Sequence, residues 1–193
     1  MTRGDLRFWD ERLGAWSVSV LAGEVYVTDT DEYITTVLGS CVSTCVRDRV
    51  TGAGGMNHLA LPDGGGRARD VTSDNQRCLD RLVGGVLGYG GRMADLEIKV
   101  FGGGKINGAL DDIGLKNIEF VREFLANEGY EMAKEDLGGT YARRVMFKPY
   151  SGRAFIKRLD NTANASIAKE ELAVAASRRS IITKPVVDDI ELF

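Results

Sequence analysis

One β-branched stretch constrains the fold more than any other part of this sequence. Residues 34–46 are mostly apolar and β-branched, and they are interrupted at Gly39 and Ser40. β-Branched residues favour extended backbone, whereas glycine permits a sharp bend or the close approach of another backbone. The pattern therefore predicts two strands joined at a bend that presents Cys41.

A further short strand is predicted from Met56 to Leu61, after a turn-rich connection over residues 47–55. Two adjacent strands of this kind can place Cys41 opposite His58, the only histidine in the chain. A free thiol has a pKa of about 8.5, which falls beside an imidazolium, and only the thiolate is a strong nucleophile. The residues thus indicate a Cys41–His58 pair; a buried cysteine and an incidental histidine are the alternative interpretation.

The rest of the sequence mixes strand and helix patterns. Apolar spacing predicts amphipathic helices over residues 74–87 and from about 111 to 129. Alternation and β-branched composition predict strands over residues 18–28, 96–101, 131–137, 142–148 and 153–159. Because strands and helices do not alternate strictly, we expect an α+β fold.

The chain divides into three parts by composition. We expect an N-terminal lead at residues 1–17, one domain at 18–159, and a C-terminal tail at 160–193 that is richer in Asn, Thr, Ala and Ser. Within the tail, residues 166–178 are a candidate short helix. Residues 188–193 are expected to be a disordered terminus, with a docking peptide as the alternative.

Charge and hydropathy exclude several classes of function. The net charge is -3 with the two signs interspersed, so we expect no nucleic-acid partner. No apolar run approaches the ~18–20 residues that cross a bilayer, and the first residues lack the apolar core of a signal peptide. We therefore expect a cytoplasmic protein with no direct membrane insertion.

The three cysteines are too few and too irregular for a disulfide framework. Cys45 and Cys78 could join Cys41 and His58 as four tetrahedral ligands, but their spacing does not match a common zinc motif. We expect no metal and no cofactor, and Cys78 as part of the core. Residues 102–105, Gly-Gly-Gly-Lys, are expected to form a tight turn rather than a phosphate-binding loop.

Two segments of the sequence resemble a known family. Residues 35–48, Thr-Thr-Val-Leu-Gly-Ser-Cys-Val-Ser-Thr-Cys-Val-Arg-Asp, and 54–62, Gly-Gly-Met-Asn-His-Leu-Ala-Leu-Pro, closely resemble the signature of the chemoreceptor glutamine deamidases, the CheD family. Residues 98–105, 112–121 and 135–145 resemble later blocks of that family in the same order. The resemblance covers roughly residues 18–159.

The resemblance implies a catalytic set. In this family the cysteine of Gly-Ser-Cys is the nucleophile, the histidine before Leu-x-Leu-Pro is its base, and a threonine six residues before the cysteine steadies the histidine. These positions are Cys41, His58 and Thr35. Thr36 is a rival, but strand alternation puts Thr35 on the same nominal face as Cys41. The backbone N–H of Cys41, or of a neighbour at the Gly39–Ser40 bend, is expected to hold the oxyanion.

The implied activity is a protein-glutamine glutaminase that deamidates glutamines on the cytoplasmic helical domain of methyl-accepting chemotaxis receptors. The implied fold has mixed β-sheet layers with flanking helices, similar to the deamidating toxins of the cytotoxic necrotising factor type. One alternative is a non-catalytic module that binds and modulates a CheC-type phosphatase. Another is a thiol redox or metal regulator that uses the three cysteines.

Overall fold

The structure is a computed structural model that describes residues 7–60, 68–106, 111–160, 164–171 and 173. Its elements, in chain order, are β1 (Arg7–Asp10), β2 (Ala15–Ser19), β3 (Val25–Thr28), β4 (Tyr33–Leu38), β5 (Val42–Asp48), β6 (Gly54–Asn57), α1 (Ala68–Leu87), β7 (Leu96–Gly102), α2 (Asp111–Asn127), β8 (Met132–Leu137), β9 (Arg143–Lys148), β10 (Arg153–Arg158) and α3 (residues 164–171).

The strands form two five-stranded sheets. Sheet A has the order β1-β2-β4-β9-β10, and sheet B has the order β3-β6-β5-β7-β8. Both sheets are mixed, because β2 pairs with β4 and β7 pairs with β8 in parallel, whereas the other neighbours are antiparallel. Two mixed sheets with helices confirm the predicted α+β class.

The core has two main layers, one on each face of sheet B. Strand β5 shows the division: Val42 and Val46 pack in the cluster that includes residues of α1 and α2, whereas Cys45 packs in the cluster that includes residues of sheet A. The β4 strand lies in sheet A and β5 lies in sheet B. The bend at residues 39–41 is therefore the point where the chain crosses from one sheet to the other.

The predicted break at Gly39–Ser40 is confirmed by the gap between β4 and β5, and β6 is the antiparallel neighbour of β5. The single strand predicted over residues 18–28 is wrong. The structure has β2 in sheet A and β3 in sheet B, separated by a turn in which Gly23 has a φ of 83°. Glycine adopts this left-handed conformation without the steric cost that other residues incur.

The outer parts of the chain join the fold more closely than composition suggests. The predicted boundary between residues 17 and 18 falls inside β2, so part of the lead belongs to sheet A. Residues 164–171 of the predicted tail form α3. Residues 188–193 lie outside the described residues. In the described part of the chain, no helix is long and apolar enough to cross a membrane.

The turn between β5 and β6 is organised by one buried carboxylate. Asp48 Oδ1 accepts hydrogen bonds from the backbone N–H groups of Thr51 at 2.7 Å and Val50 at 2.8 Å. Its Oδ2 accepts a hydrogen bond from the Arg92 N–H at 2.9 Å. These hydrogen bonds, that from Thr51 above all, lower the pKa of Asp48. The turn fixes the connection that brings β6 back beside β5.

Replacing Asp48 with alanine should destabilise the fold by about 1–3 kcal/mol, because three backbone donors lose a charged acceptor. Since the folded pKa lies below the ordinary 3.8, this contribution is complete above that value and disappears as the pH falls through the folded pKa. Urea unfolding of Asp48→Ala and of the exposed-site control Asp29→Ala, at about pH 7 and about pH 3, measures it. An Asp48→Ala loss that is the same at both pH values would contradict this account.

Candidate active site

A short backbone bridge brings the predicted cysteine and histidine together. The Val42 N–H donates to the Leu59 carbonyl at 3.0 Å, and the Leu59 N–H donates to the Val42 carbonyl at 2.7 Å. Their chain neighbours, Cys41 and His58, are only 2% and 6% exposed. Cys41 Sγ, a His58 ring nitrogen and a Glu171 carboxylate oxygen all lie within 4.8 Å of one another. The structure thus places a thiol, an imidazole and a carboxylate at one point.

The tautomer of His58 follows from its neighbour on β4. Thr36 Oγ1 lies 2.8 Å from His58 Nδ1 and also donates to the Val20 carbonyl at 2.7 Å. A hydroxyl has one hydrogen, so once that hydrogen is given to Val20, Thr36 accepts a hydrogen bond from His58 Nδ1–H. A neutral ring protonated at Nδ1 carries its basic lone pair on Nε2.

The expectation that Thr35 steadies the histidine is corrected by this geometry. Thr35 Oγ1 donates to the Val145 carbonyl of the neighbouring strand at 3.0 Å, and it is Thr36 that meets His58. Alternation within β4 puts Thr36 on the same face as Ile34 and Leu38, whose cluster includes residues of sheet B. The preference for Thr35 extended this alternation through the bend to Cys41, although β4 ends at Leu38.

A run of glycines holds one side of the bend. The Gly104 N–H donates to the Gly39 carbonyl, and the Gly103 N–H donates to the Cys41 carbonyl, each at 2.7 Å. A Cβ at Gly104 would lie 3.1 Å from the Gly39 carbonyl oxygen, so the absence of a side chain permits the close approach. Gly103 has a φ of 68°, which confirms the predicted tight turn after β7.

The third carbonyl of the bend is held by α2, where Asn117 Nδ2 donates to the Ser40 carbonyl at 2.9 Å. With its carbonyls engaged by these donors, the bend presents its N–H groups to a different partner, Glu171. The N–H groups of Gly39 and Ser40 each lie 2.9 Å from a Glu171 oxygen, and that of Cys41 lies 3.3 Å away. Ser40 Oγ donates to the same carboxylate at 2.7 Å.

We call these three N–H groups and the Ser40 hydroxyl the anion cradle. A Cβ built at Gly39 would lie 2.9 and 3.0 Å from the two Glu171 oxygens, so a side chain there would crowd the carboxylate. Backbone N–H groups that converge on one point stabilise a negative charge without a charged side chain. The cradle begins at the residue two before Cys41 and ends at Cys41 itself.

A cleft of about 440 Å³ opens beside His58. Its walls include Val20, Leu21, Thr36, His58, Arg144 and Glu171. Arg143 precedes Arg144 in the chain and is buried. Its guanidinium donates to the side chain and carbonyl of Asp136 and to the carbonyl of Gly138. Burial lowers the pKa of Arg143. Arg144 thus faces the cleft, whereas Arg143 supports the fold.

The other two cysteines have structural positions. Cys45 is buried between the sheets, and burial raises the pKa of its thiol, so it is a poor nucleophile. Cys78, on α1, packs in the core, as predicted. Among the described residues, the group with the donor types and spacing of a metal site is Cys41, His58 and Glu171, not the three cysteines with His58. Both Glu171 oxygens already accept hydrogen bonds from the anion cradle.

Comparison with known proteins identifies the family. The family model described as CheD chemotactic sensory transduction matches residues 61–158. A probable chemoreceptor glutamine deamidase CheD from Hahella chejuensis is 42% identical over 171 residues, which cover 86% of this chain and 81% of that protein. This chain belongs to the CheD family. The CheD protein of the same description from Halorhodospira halophila is 40% identical over 195 residues, covering 97% of this chain and 89% of that protein.

A solved structure, the Bacillus licheniformis hypothetical protein YfiH, matches with a TM-score of 0.37 and 13% identity over 61% of this chain and 50% of that chain. A likeness this weak carries no argument about the fold. The similarity to cytotoxic necrotising factor-type deamidases therefore stays a prediction.

Sequence reasoning missed two residues that shape the site. Asn117 lies in a block of the chain that resembles the family, but nothing in its spacing indicates a hydrogen bond to residue 40. Glu171 lies 130 positions from Cys41, outside the part of the chain that carries the resemblance. Neither contact has a signal in local sequence, because each depends on how distant elements pack.

The Thr36 assignment can be tested directly, because the chain has one histidine. Nitrogen NMR of the imidazole, at a pH where the ring is neutral, should show mainly the Nδ1–H tautomer in the wild-type protein. Thr36→Val removes the acceptor and should produce a mixture of tautomers, whereas Thr36→Ser should restore Nδ1–H. Thr35→Val is the matched control. A spectrum that changes with Thr35→Val and not with Thr36→Val would reverse the assignment.

Proposed function

We propose that this protein is a protein-glutamine deamidase that acts on chemoreceptors and converts selected glutamines to glutamates with release of ammonia. The observation that carries the proposal is the meeting of Cys41, His58 and the anion cradle within one site. The names of the CheD relatives, probable chemoreceptor glutamine deamidases, support it. Hydrolysis of an amide changes no oxidation state, so the reaction needs no redox cofactor.

Cys41 is the proposed nucleophile and His58 its base. His58 Nε2 takes the proton from the Cys41 thiol, and the sulfur attacks the side-chain carbonyl carbon of glutamine. As the tetrahedral intermediate collapses, the carbon–nitrogen bond breaks, and His58 gives the proton to the departing ammonia. The product of this first half is a thioester between Cys41 and the glutamyl side chain.

Water completes the reaction. His58 takes a proton from a water molecule, which attacks the thioester carbon, and the carbon–sulfur bond then breaks. His58 returns its proton to the departing sulfur, which regenerates the Cys41 thiol, and the new carboxyl group loses its proton to solvent and leaves as glutamate. In this scheme Thr36 is a positioning residue, because it holds His58 Nδ1–H and keeps the basic lone pair on Nε2.

The anion cradle is the proposed oxyanion hole. Each half of the reaction puts a negative charge on the carbonyl oxygen, and preorganised donors stabilise that charge without reorganising. The N–H groups of Gly39, Ser40 and Cys41 already hold the carboxylate oxygens of Glu171 at 2.9 to 3.3 Å. Loss of one such donor in other enzymes costs about a hundredfold to a thousandfold in kcat.

We propose the cytoplasmic helical domain of methyl-accepting receptors as the substrate. A cleft of about 440 Å³ that is open to solvent suits a side chain offered from a helix surface better than it suits an enclosed small molecule. Conversion of glutamine to glutamate adds a negative charge to a packed helix and shifts its interactions with neighbouring charges. A cytoplasmic location agrees with this substrate.

Binding to a CheC-type phosphatase as a non-catalytic module is not favoured, because the CheD relatives are named for the enzyme activity. A phosphatase partner stays a prediction. We further propose that the catalytic domain predicted at residues 18–159 is extended by β1 and β2 at one end and by α3 at the other.

Mass spectrometry of a receptor cytoplasmic fragment tests the proposal. The wild-type chain should raise the mass of selected glutamine peptides by ~1 Da, and Cys41→Ala should lower the rate by at least about a thousandfold. Cys45→Ala is the matched control: it also removes a buried thiol, but one that packs between the sheets and has a pKa raised by burial, and the variant should remain active.

Conversion at the wild-type rate by a folded Cys41→Ala variant would exclude Cys41 as the nucleophile. No conversion by the folded wild-type chain would overturn the deamidase proposal and favour the binding role.

A further inference from the structure

Glu171 of α3 fills the anion cradle with a side chain that has the shape of the reaction product. We propose that α3 is an intramolecular product mimic: Glu171 takes the place of the product's side-chain carboxyl and keeps the site closed until a receptor helix displaces it. This inference rests on the proposed function.

Glu171 has the same side chain as the product of the proposed reaction. The reaction turns a glutamine side chain into a glutamate side chain, and the group in the cradle is a glutamate side chain. Its oxygens accept four hydrogen bonds from the cradle, between 2.7 and 3.3 Å. One of its oxygens lies within 4.8 Å of Cys41 Sγ and of a His58 ring nitrogen. A carboxamide has nearly the same size and shape, and its single carbonyl oxygen can accept from one of the two donor pairs, the N–H groups of Gly39 and Cys41 or the N–H and hydroxyl of Ser40.

Contacts at Asn164 and Ala168 hold α3 in place. At its start, Asn164 Oδ1 accepts from the Ala142 N–H at 2.8 Å, and Asn164 Nδ2 donates to the Thr140 carbonyl at 3.4 Å. In its middle, the buried Ala168 packs against Ile113 and Ile106. These contacts hold α3 with Glu171 directed into the cradle.

Among the described residues, the apolar contact that docks α3 is small. There the cluster around Ala168 holds two buried residues and one partly buried one, whereas the cluster between sheet B and α1 and α2 holds fourteen buried residues. Segments with few buried apolar contacts open at a lower free-energy cost than the core does. The helix can therefore leave its place while the two sheets remain folded.

The Glu171 carboxylate competes with the oxyanion of the reaction for the same hydrogen-bond donors. An N–H group that already holds a carboxylate oxygen is not available to an oxyanion at that point. A carboxylate beside Cys41 also opposes a second negative charge on the sulfur. Both effects act against catalysis while Glu171 is in the cradle. In the proposed substrate the target glutamine also lies on a helix, so α3 offers its carboxylate as the receptor offers its carboxamide.

A carboxamide placed at position 171 should therefore be deamidated by the chain's own active site. In Glu171→Gln, Cys41 would attack the new side-chain carbonyl, release ammonia and form a thioester that water cleaves to the original glutamate. Peptide mass spectrometry should find the residue-171 peptide raised by ~1 Da relative to the same peptide from Cys41→Ala/Glu171→Gln. Glu170→Gln, which offers a carboxamide one residue earlier on an exposed side chain, should keep its amide.

Opening the cradle should also accelerate the reaction with the receptor fragment. Glu171→Ala should raise kcat/KM for receptor glutamines by on the order of tenfold, as for a site that is open in about one-tenth of the molecules. Lys169→Ala, which changes an exposed residue on the same helix, should react at the wild-type rate. A Glu171→Ala variant that is folded and equal to or slower than the wild type would overturn the inference.

The two experiments separate this inference from the proposed function. If the wild-type chain deamidates the receptor fragment but the carboxamide at position 171 stays intact, the inference fails and the deamidase stands. If neither carboxamide is converted by folded protein, the deamidase proposal fails and the inference fails with it. Conversion of both, each dependent on Cys41, supports both.

Discussion

The site depends on the hydrogen bonds that fix the bend between the two sheets. The carbonyls of Gly39 and Cys41 are held by a glycine turn after β7, and the Ser40 carbonyl is held by Asn117 on α2. A peptide unit points its N–H and its carbonyl in opposite directions, so the donors to the Gly39 and Ser40 carbonyls orient the N–H groups of Ser40 and Cys41 toward the other side. The anion cradle is thus a product of packing at the point where the chain changes sheets, and Cys41 is its last residue.

The proposed catalytic base also joins the two sheets. His58 follows β6 of sheet B, whereas Thr36, which binds its Nδ1, lies on β4 of sheet A. The imidazole is therefore fixed from the sheet opposite its own strand. Rigid strands and a buried hydroxyl hold a base more accurately than a loop can, and small errors in position are costly in catalysis. Stability of the sheet-to-sheet packing and activity are consequently linked.

Local pattern predicted much of this arrangement and failed where distant contacts decide. β-Branched runs and glycine placed the break before Cys41, and the return strand placed His58 beside it. The choice of Thr35 over Thr36 failed because alternation holds within β4 and not through the bend. The contact between Glu171 and the anion cradle could not be predicted, since no local pattern relates residue 171 to residue 39.

The alkylation rates of the thiols test most directly whether His58 activates Cys41. Iodoacetamide treatment of the folded wild type and of His58→Gln, followed by peptide mapping, gives the rate at each cysteine. We expect that at neutral pH Cys41 reacts at least about tenfold faster in the wild type than in His58→Gln. Only the thiolate reacts, and His58 promotes its formation. Cys45 should stay unmodified in both, because burial between the sheets raises the pKa of its thiol. Equal rates at Cys41 in the two proteins would contradict the account.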